Sequence, residues 1–264
     1  MSEAASLRWA GLEPDPGMVA ALDHARGRPE PGASHNDKRN WSGRFANQCA
    51  VSLADCFRVT DLPRKAIRPL SLTDGTEPLT PLGSGTRKRI DVTIVDEILG
   101  LEIGVSLKGL NFRDEGNGNF DKNLTGRLYE LGDEMRLVHE HLPHAFMAGV
   151  LLLPVEAAVD KSAVAASSFA HAVRKLRERT GRLDPALAAH SARCDAGFVG
   201  LYADGAAPGF HRGIVRFFDV AGAPPRRGRP LVAETLSMQE VASVIVERAR
   251  YEETVVWGTA EPDD

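Results

Sequence analysis

The sequence predicts an α/β protein in which a mixed central β-sheet is sandwiched by helices, and three stretches carry that expectation. Ile90 to Val95 and Leu101 to Leu107 are β-branched and aliphatic runs flanking a short acidic connection that ends in Gly100, the pattern of a β-hairpin. From Asn123 to His141 the residues Leu124, Leu128, Leu131, Met135 and Val138 recur at three- and four-residue steps, with Leu142 continuing the stripe, as in an amphipathic helix. Ala145 to Val155 is a continuous apolar run bounded by Pro143 and Pro154, the pattern of a strand buried on both faces. Such elements bury their apolar faces by layering helices on a sheet.

Residues 1–40 are rich in Pro, Gly and charge, with PDPG and GRPEPG marking turns and a short helix over Gly17 to Arg26. They read as an N-terminal arm packed loosely on a single domain over 41–264, whose core is 41–156 and whose elaboration is 157–264. A first core helix is expected from Trp41 to Val59, with Ser42 as N-cap and Phe45, Cys49, Leu53 and Cys56 on one side. Residues 60–86 are turn-rich, and RDEGNGNFDKN after the hairpin is a polar loop. Beyond the core the pattern predicts a basic helix over Ser167 to Arg179 and strands over Ala196 to Tyr202 and Gly213 to Val220. A helix opened by a capping box at Ser237 and Glu240 follows, then a final strand over Thr254 to Trp257.

A chain of 264 residues can bury a substantial core, and 43% hydrophobic with 26% charged residues is ordinary for a soluble protein. No apolar run approaches a membrane span, and MSEAASLRWAGLEPD has no basic-then-apolar order, so neither a membrane partner nor a signal peptide is expected. Three cysteines without C-x-x-C spacing predict a reducing cytoplasm and no zinc or disulfide framework. A net charge of −4 argues against coating nucleic acid through overall charge. The 25 Arg and 7 Lys nevertheless cluster, as at Arg174, Lys175, Arg177 and Arg179.

Function enters through the hairpin. With its turn centred between Ile98 and Leu99, Asp91 lies opposite Ser106, and Lys108 shares the face of Ser106 because side chains alternate along a strand. A carboxylate, a hydroxyl and an ammonium then stand together in otherwise apolar strands, where an isolated charge is costly unless paired or used. The bland alternative is a structural Asp91–Lys108 ion pair at a sheet edge.

An Asp on one strand, followed on the next by polar-x-Lys closing an apolar run, resembles the core of the PD-(D/E)XK nuclease superfamily, which includes many restriction endonucleases. The resemblance covers about residues 41–156, whose order of helix, hairpin, helix and strand is the one it requires. It implies a restriction endonuclease-like core and a Mg²⁺- or Mn²⁺-dependent endonuclease acting on DNA, of restriction or phage-defence type. By the same resemblance Asp91 is a metal ligand, Lys108 the cation beside the attacking water, and the enzyme a homodimer, since cutting two strands needs two sites. The sequence departs from the family at Ile90, where Pro is common, and at Ser106, which stands at the Asp/Glu position. Some members compensate with a Glu from the following helix. Here Asn123, Arg127 and Glu130 stand off the apolar stripe in an N-x-x-x-R-x-x-E order similar to that helix, so Glu130 is the expected second metal ligand and catalytic residue alongside Asp91, Ser106 and Lys108. Glu102, Asp114 and Glu115 are the competing carboxylates, and Asp55 on the first helix is a further acidic candidate.

Lys122 and Arg127 are expected to contact a nucleic-acid backbone. So are Arg226, Arg227 and Arg229, because PPRRGRP resembles an AT-hook that inserts Arg into narrow minor grooves. His139, His141 and His144 lack the (i, i+4) spacing of a zincin. Two other functions compete: a nuclease-like fold without catalysis, serving as a DNA-binding or scaffolding module, and a Ser106–Lys108 hydrolase dyad, which lacks a nucleophile elbow.

Overall fold

The computed structural model describes residues 9, 11–62, 65–72, 79–81, 87–162, 164–184, 187 and 190–257. Helices α1 (Pro16–Ala25) and α2 (His35–Arg58) open the chain, followed by strands β1 (Ala66–Arg68), β2 (Leu79–Pro81), β3 (Arg87–Arg89), β4 (Val92–Asp96) and β5 (Gly100–Gly109). Then come α3 (Leu124–His141), β6 (Phe146–Pro154), α4 (Ser168–Arg177), β7 (Ala196–Tyr202), β8 (Val215–Asp219) and α5 (Met238–Trp257). Six strands form one mixed sheet in the order β1-β4-β5-β6-β7-β8, while β2 and β3 form a separate antiparallel pair. The hairpin β4–β5 is antiparallel, β5, β6 and β7 run parallel, and β1 and β8 close the edges antiparallel.

The layering follows from side-chain parity. Val92, Ile94, Ile103, Val105 and Leu107 face a core built with Leu22 of α1, Phe45 and Leu53 of α2 and Ile245 of α5. On the opposite face Met147, Leu151, Val199 and Leu201 pack against Leu131 and Met135 of α3 and Phe169 of α4. Strand β6 lies between the two layers and is buried at every position, as its unbroken apolar run requires.

Helix starts obey local hydrogen-bond rules. Asp15 caps α1 by accepting the Met18 N–H at 2.9 Å, and Ser167 caps α4 through the Ala170 N–H at 3.1 Å. The capping box that opens α5 is formed, with the Glu240 N–H donating to Ser237 Oγ at 3.2 Å and the Ser237 N–H to Glu240 Oε2 at 2.6 Å.

Three expectations are corrected. Helix α2 begins at His35, capped by Ser34, which accepts the Asp37 N–H at 3.1 Å; Ser42 lies inside the helix and accepts from Asn111 Nδ2 at 3.3 Å. A boundary at residue 40 therefore cuts a helix, and the described residues before it form no loose arm. Met18, Ala21, Leu22 and Ala25 are buried, and buried Trp9 donates to the Pro230 carbonyl at 3.0 Å. Finally, Thr254–Trp257 continues α5 as helix, because the outer edge of β8 is already bridged, Phe217 pairing with Leu236. Among the described residues no helix is long and apolar enough to cross a membrane.

Leu22→Ala should therefore lower stability by about 2–5 kcal/mol in urea unfolding, the cost of emptying a well-packed core site. A loss below about 0.5 kcal/mol, the range of ordinary surface substitutions, would restore the loose arm.

Candidate active site

Strand β5 presents Ser106 and Lys108 to the α3 layer because their neighbours Val105 and Leu107 face the opposite core. Val92 pairs with Val105 and Thr93 with Gly104, so Asp91, one residue before the ladder, stands opposite Ser106 as the sequence predicts. The register slips between Ile94 and Val95, where a bulge leaves Glu102 as the extra residue. Glu102 pairs with Lys65 at 2.6 Å, well along the hairpin from Lys108.

At Asp91 the backbone bends and the ladder stops, and the carboxylate takes over its hydrogen bond: the Leu107 N–H donates to Asp91 Oδ2 at 2.7 Å. Leu107 lies between Ser106 and Lys108, so this bond fixes Asp91 beside both. The second carboxylate comes from α3. Lys108 Nζ reaches Glu134 Oε1 at 3.0 Å and Oε2 at 2.9 Å, and the Ser106 hydroxyl donates to Glu134 Oε2. Lys108 and Glu134 expose only 13% and 14% of their side chains, so their pairing is largely shielded from water.

Burial is the main cause that raises the Asp91 pKa above the usual carboxylate range, and the negative charge of Glu134 adds to it. The positive charge of Lys108, the Leu107 hydrogen bond and Arg89 act in the opposite sense. Asp91 thus carries its charge at a cost despite a neighbouring lysine.

Glu130, the residue expected to complete the site, does not reach it. It is about half exposed and pairs with Arg127 at 2.7 Å on the solvent side of α3. Asp114 pairs with Lys122, Glu115 with Lys38 at 3.4 Å, and exposed Asp55 with Arg58. The second carboxylate is Glu134, one turn after Glu130. Its signal in the sequence is its spacing of three from Leu131 and four from Val138, both in the buried stripe, which turns it toward the sheet.

The PPRRGRP loop also differs from expectation. Arg229 is buried, 3% exposed, with its guanidinium 4.1 Å from the centre of the Phe210 ring, so it cannot enter a minor groove. Arg226 donates to the Val164 carbonyl, and Arg227 binds the carbonyls of Lys161, of Ser162 at 2.9 Å and of Val159 at 2.7 Å. These arginines tie the loop to its neighbour. Lys122 and Arg127 are open to solvent and line a cleft at the start of α3.

The histidines do not converge. His139 is buried beside Asp195 at 3.3 Å, whereas His141 bonds the Leu137 carbonyl and His144 the Leu99 carbonyl. Among the described residues no group of three or more His, Cys, Asp and Glu side chains forms a metal cage. Mg²⁺ does not require one, since it binds through one or two carboxylates and keeps several waters. Asp91, whose charge is only partly offset by its surroundings, and Glu134 suit such an ion, with the Ser106 hydroxyl beside them.

Fold and site together define an α/β protein with a carboxylate–serine–lysine–carboxylate cluster on one face of its sheet. Comparison with family models, curated proteins and solved structures returned no match.

Asp91→Asn is expected to raise stability at pH 7. The folded-state pKa lies above the ordinary 3.8, so the native state holds this proton more tightly and Asp91 reduces stability as pH rises through that window. The gain should vanish below the ordinary value, where both states are protonated. A loss of stability at pH 7 would identify a structural ion pair instead.

Proposed function

We propose that the chain is a Mg²⁺- or Mn²⁺-dependent endonuclease that cleaves DNA phosphodiester bonds, of restriction or phage-defence type. A homodimer in the cytoplasm belongs to the same proposal. The observation that carries it is the meeting of Glu134 with Ser106 and Lys108, beside Asp91, within the helix–hairpin–helix–strand order expected of a PD-(D/E)XK core. The helix carboxylate compensates for Ser at the strand position.

Asp91 and Glu134 would hold the metal, which would supply charge neutralisation and Lewis acidity at the scissile phosphate. Lys108, fixed by Glu134, places a positive charge where the attacking water gains hydroxide character. As an ammonium it stabilises that charge and does not accept the proton. Ser106 orients Glu134 by its hydrogen bond. The Ser106–Lys108 dyad has less support, because both side chains are engaged with Glu134. A non-catalytic DNA-binding or scaffolding module is the second reading, favoured by the same closed Lys108–Glu134 pair.

Cleavage of plasmid and linear DNA with Mg²⁺ or Mn²⁺ tests the proposal. Asp91→Ala, Lys108→Ala and Glu134→Gln should each lose about 100-fold or more in rate, the scale of removing a preorganised charge-stabilising group. Glu130→Gln should leave the rate little changed, and Ser106→Glu should restore part of the activity of Glu134→Ala by returning a carboxylate to the strand. Saturating metal should raise the melting temperature of the wild type but not of Asp91→Asn, equivalent to about 2.7 kcal/mol at 100 times Kd. Absence of both cleavage and metal stabilisation would leave the scaffold reading.

Without metal, burial helps Asp91 keep its proton above the ordinary 3.8, so Mg²⁺ binding at acidic pH should release a proton and weaken as pH falls, which calorimetry in buffers of different ionisation enthalpy reads directly. Metal binding without proton release or pH dependence in that range would remove Asp91 from the ligands.

A further inference from the structure

Two adjoining cavities lie just beyond the carboxyl end of β5, where open α/β sheets place their ligands. The outer one, about 560 Å³, is enclosed by the first turns of α2, the loop after β5 and the start of α3. Lys38, Arg39, Arg113, Lys122 and Arg127 line it against two carboxylates, Asp114 and Glu115, in a chain whose net charge is −4. The inner one, about 340 Å³, shares Phe112 and Arg113 with it and is lined further by Phe120, Arg28, Asn111 and Asp204.

The ring of Phe112 is partly exposed between the two cavities, held edge-on by Trp41 at 5.7 Å and approached by Lys38 Nζ at 6.0 Å from its centroid. Arg113 lies 4.8 Å from the Phe120 ring centre. A cationic cleft leading to an aromatic wall with amide and carboxylate groups behind it suits a phosphate chain joined to a flat, hydrogen-bonding ring. Cavities of this size hold one nucleotide unit. The cleft also continues the candidate active site. Arg127 precedes Glu134 by seven residues on α3, about 10 Å along the axis and on nearly the same face.

We propose that these cavities form a binding site for an unpaired nucleotide of a nucleic-acid strand, with phosphates in the outer cleft and the base against Phe112 in the inner cavity. The choice of nucleic acid as the anion rests on the nuclease reading, whereas the location rests on the two cavities. Three of the five cations, Lys122, Lys38 and Arg127, are paired with Asp114, Glu115 and Glu130, so Arg39 and Arg113 are expected to contribute most.

The test is fluorescence anisotropy in EDTA with a labelled single-stranded oligonucleotide, the matching duplex and a duplex with one unpaired base, with AMP and ATP as competitors. The single strand and the unpaired-base duplex should bind at least about tenfold more tightly than the perfect duplex, within the range of one base–aromatic stack. Phe112→Leu should remove that preference and Phe112→Tyr keep it. Arg39→Ala with Arg113→Ala should weaken all probes and reduce the salt slope by about two, roughly one per phosphate contact. Strong competition by AMP or ATP would reassign the site to a free nucleotide and overturn the polymer. Equal binding of single strand and duplex, unchanged by Phe112→Leu, would overturn the site while cleavage by the wild type upheld the nuclease. Cleft-dependent binding without cleavage in any metal would reverse that outcome.

Discussion

The contact on which the rest of the molecule depends is that of Glu134 with Lys108 and Ser106. A lysine near the end of an inward-facing strand position must have its charge met or be expelled. Among the described residues the ion pair to it comes from Glu134, so α3 must lie close against β5 and β6. Gly149 of β6 permits this approach: a Cβ there would stand 2.8 Å from Leu131 Cδ2 and 2.8 Å from Cys194 Sγ. The far end of α3 is held as well. His139 Nδ1 meets the Ser191 carbonyl at 2.8 Å, and Asp195 beside it accepts the Met147 N–H at 2.6 Å and the Arg182 guanidinium at 2.7 Å. Glu134 is thus set by packing on both sides of its own turn.

Much of this was legible in the sequence because it depends on period and register. Alternation along β5 placed Ser106 and Lys108 on one face, and the turn position placed Asp91 opposite Ser106, a pairing that survives because the bulge falls on the turn side of it. The unbroken apolar run of β6 and the Ser237–Glu240 capping box were equally readable. Distance from the apolar stripe marks Glu130 and passes over Glu134. A site formed between a helix and its sheet needs a residue at the border of that stripe, and Glu130 stands with Gly126, Arg127 and Asp133 on the polar side. The N-terminal segment misled for a related reason. Its Pro and Gly residues mark turns truthfully, but the helix between them buries one face, and composition averaged over 40 residues hides that face.

The arginines show where charge statistics fail. Arg229 and its neighbours look in sequence like a surface motif, yet each guanidinium is committed to carbonyls or to an aromatic ring. Arg28, in a turn-rich stretch, lies across the carboxyl ends of the parallel strands. It bonds Glu156 at 2.9 Å and Asp204 at 2.8 Å, which follow β6 and β7, and donates to the Asn111 carbonyl, which follows β5, at 3.2 Å.

That convergence ties the segment before α2 to the carboxyl ends of the parallel strands. Three parallel strands end side by side with a carboxylate after two of them, and such an end repels any phosphate brought near it. Arg28 neutralises both carboxylates, and Tyr202 donates its buried hydroxyl to Asn111 Oδ1 at 3.1 Å to complete the floor. Burial alone would lower the Arg28 pKa, but Tyr202, Asp204 and Glu156 together outweigh it and raise it. The cationic cleft and the Asp91–Glu134 cluster can then lie along one surface with opposite electrostatic characters: a positive approach for a phosphate chain and a negative point for a divalent ion. On the proposed reading phosphodiester hydrolysis would use both beside each other, the N-terminal turn, the end of β5 and the first turns of α3 jointly supplying them.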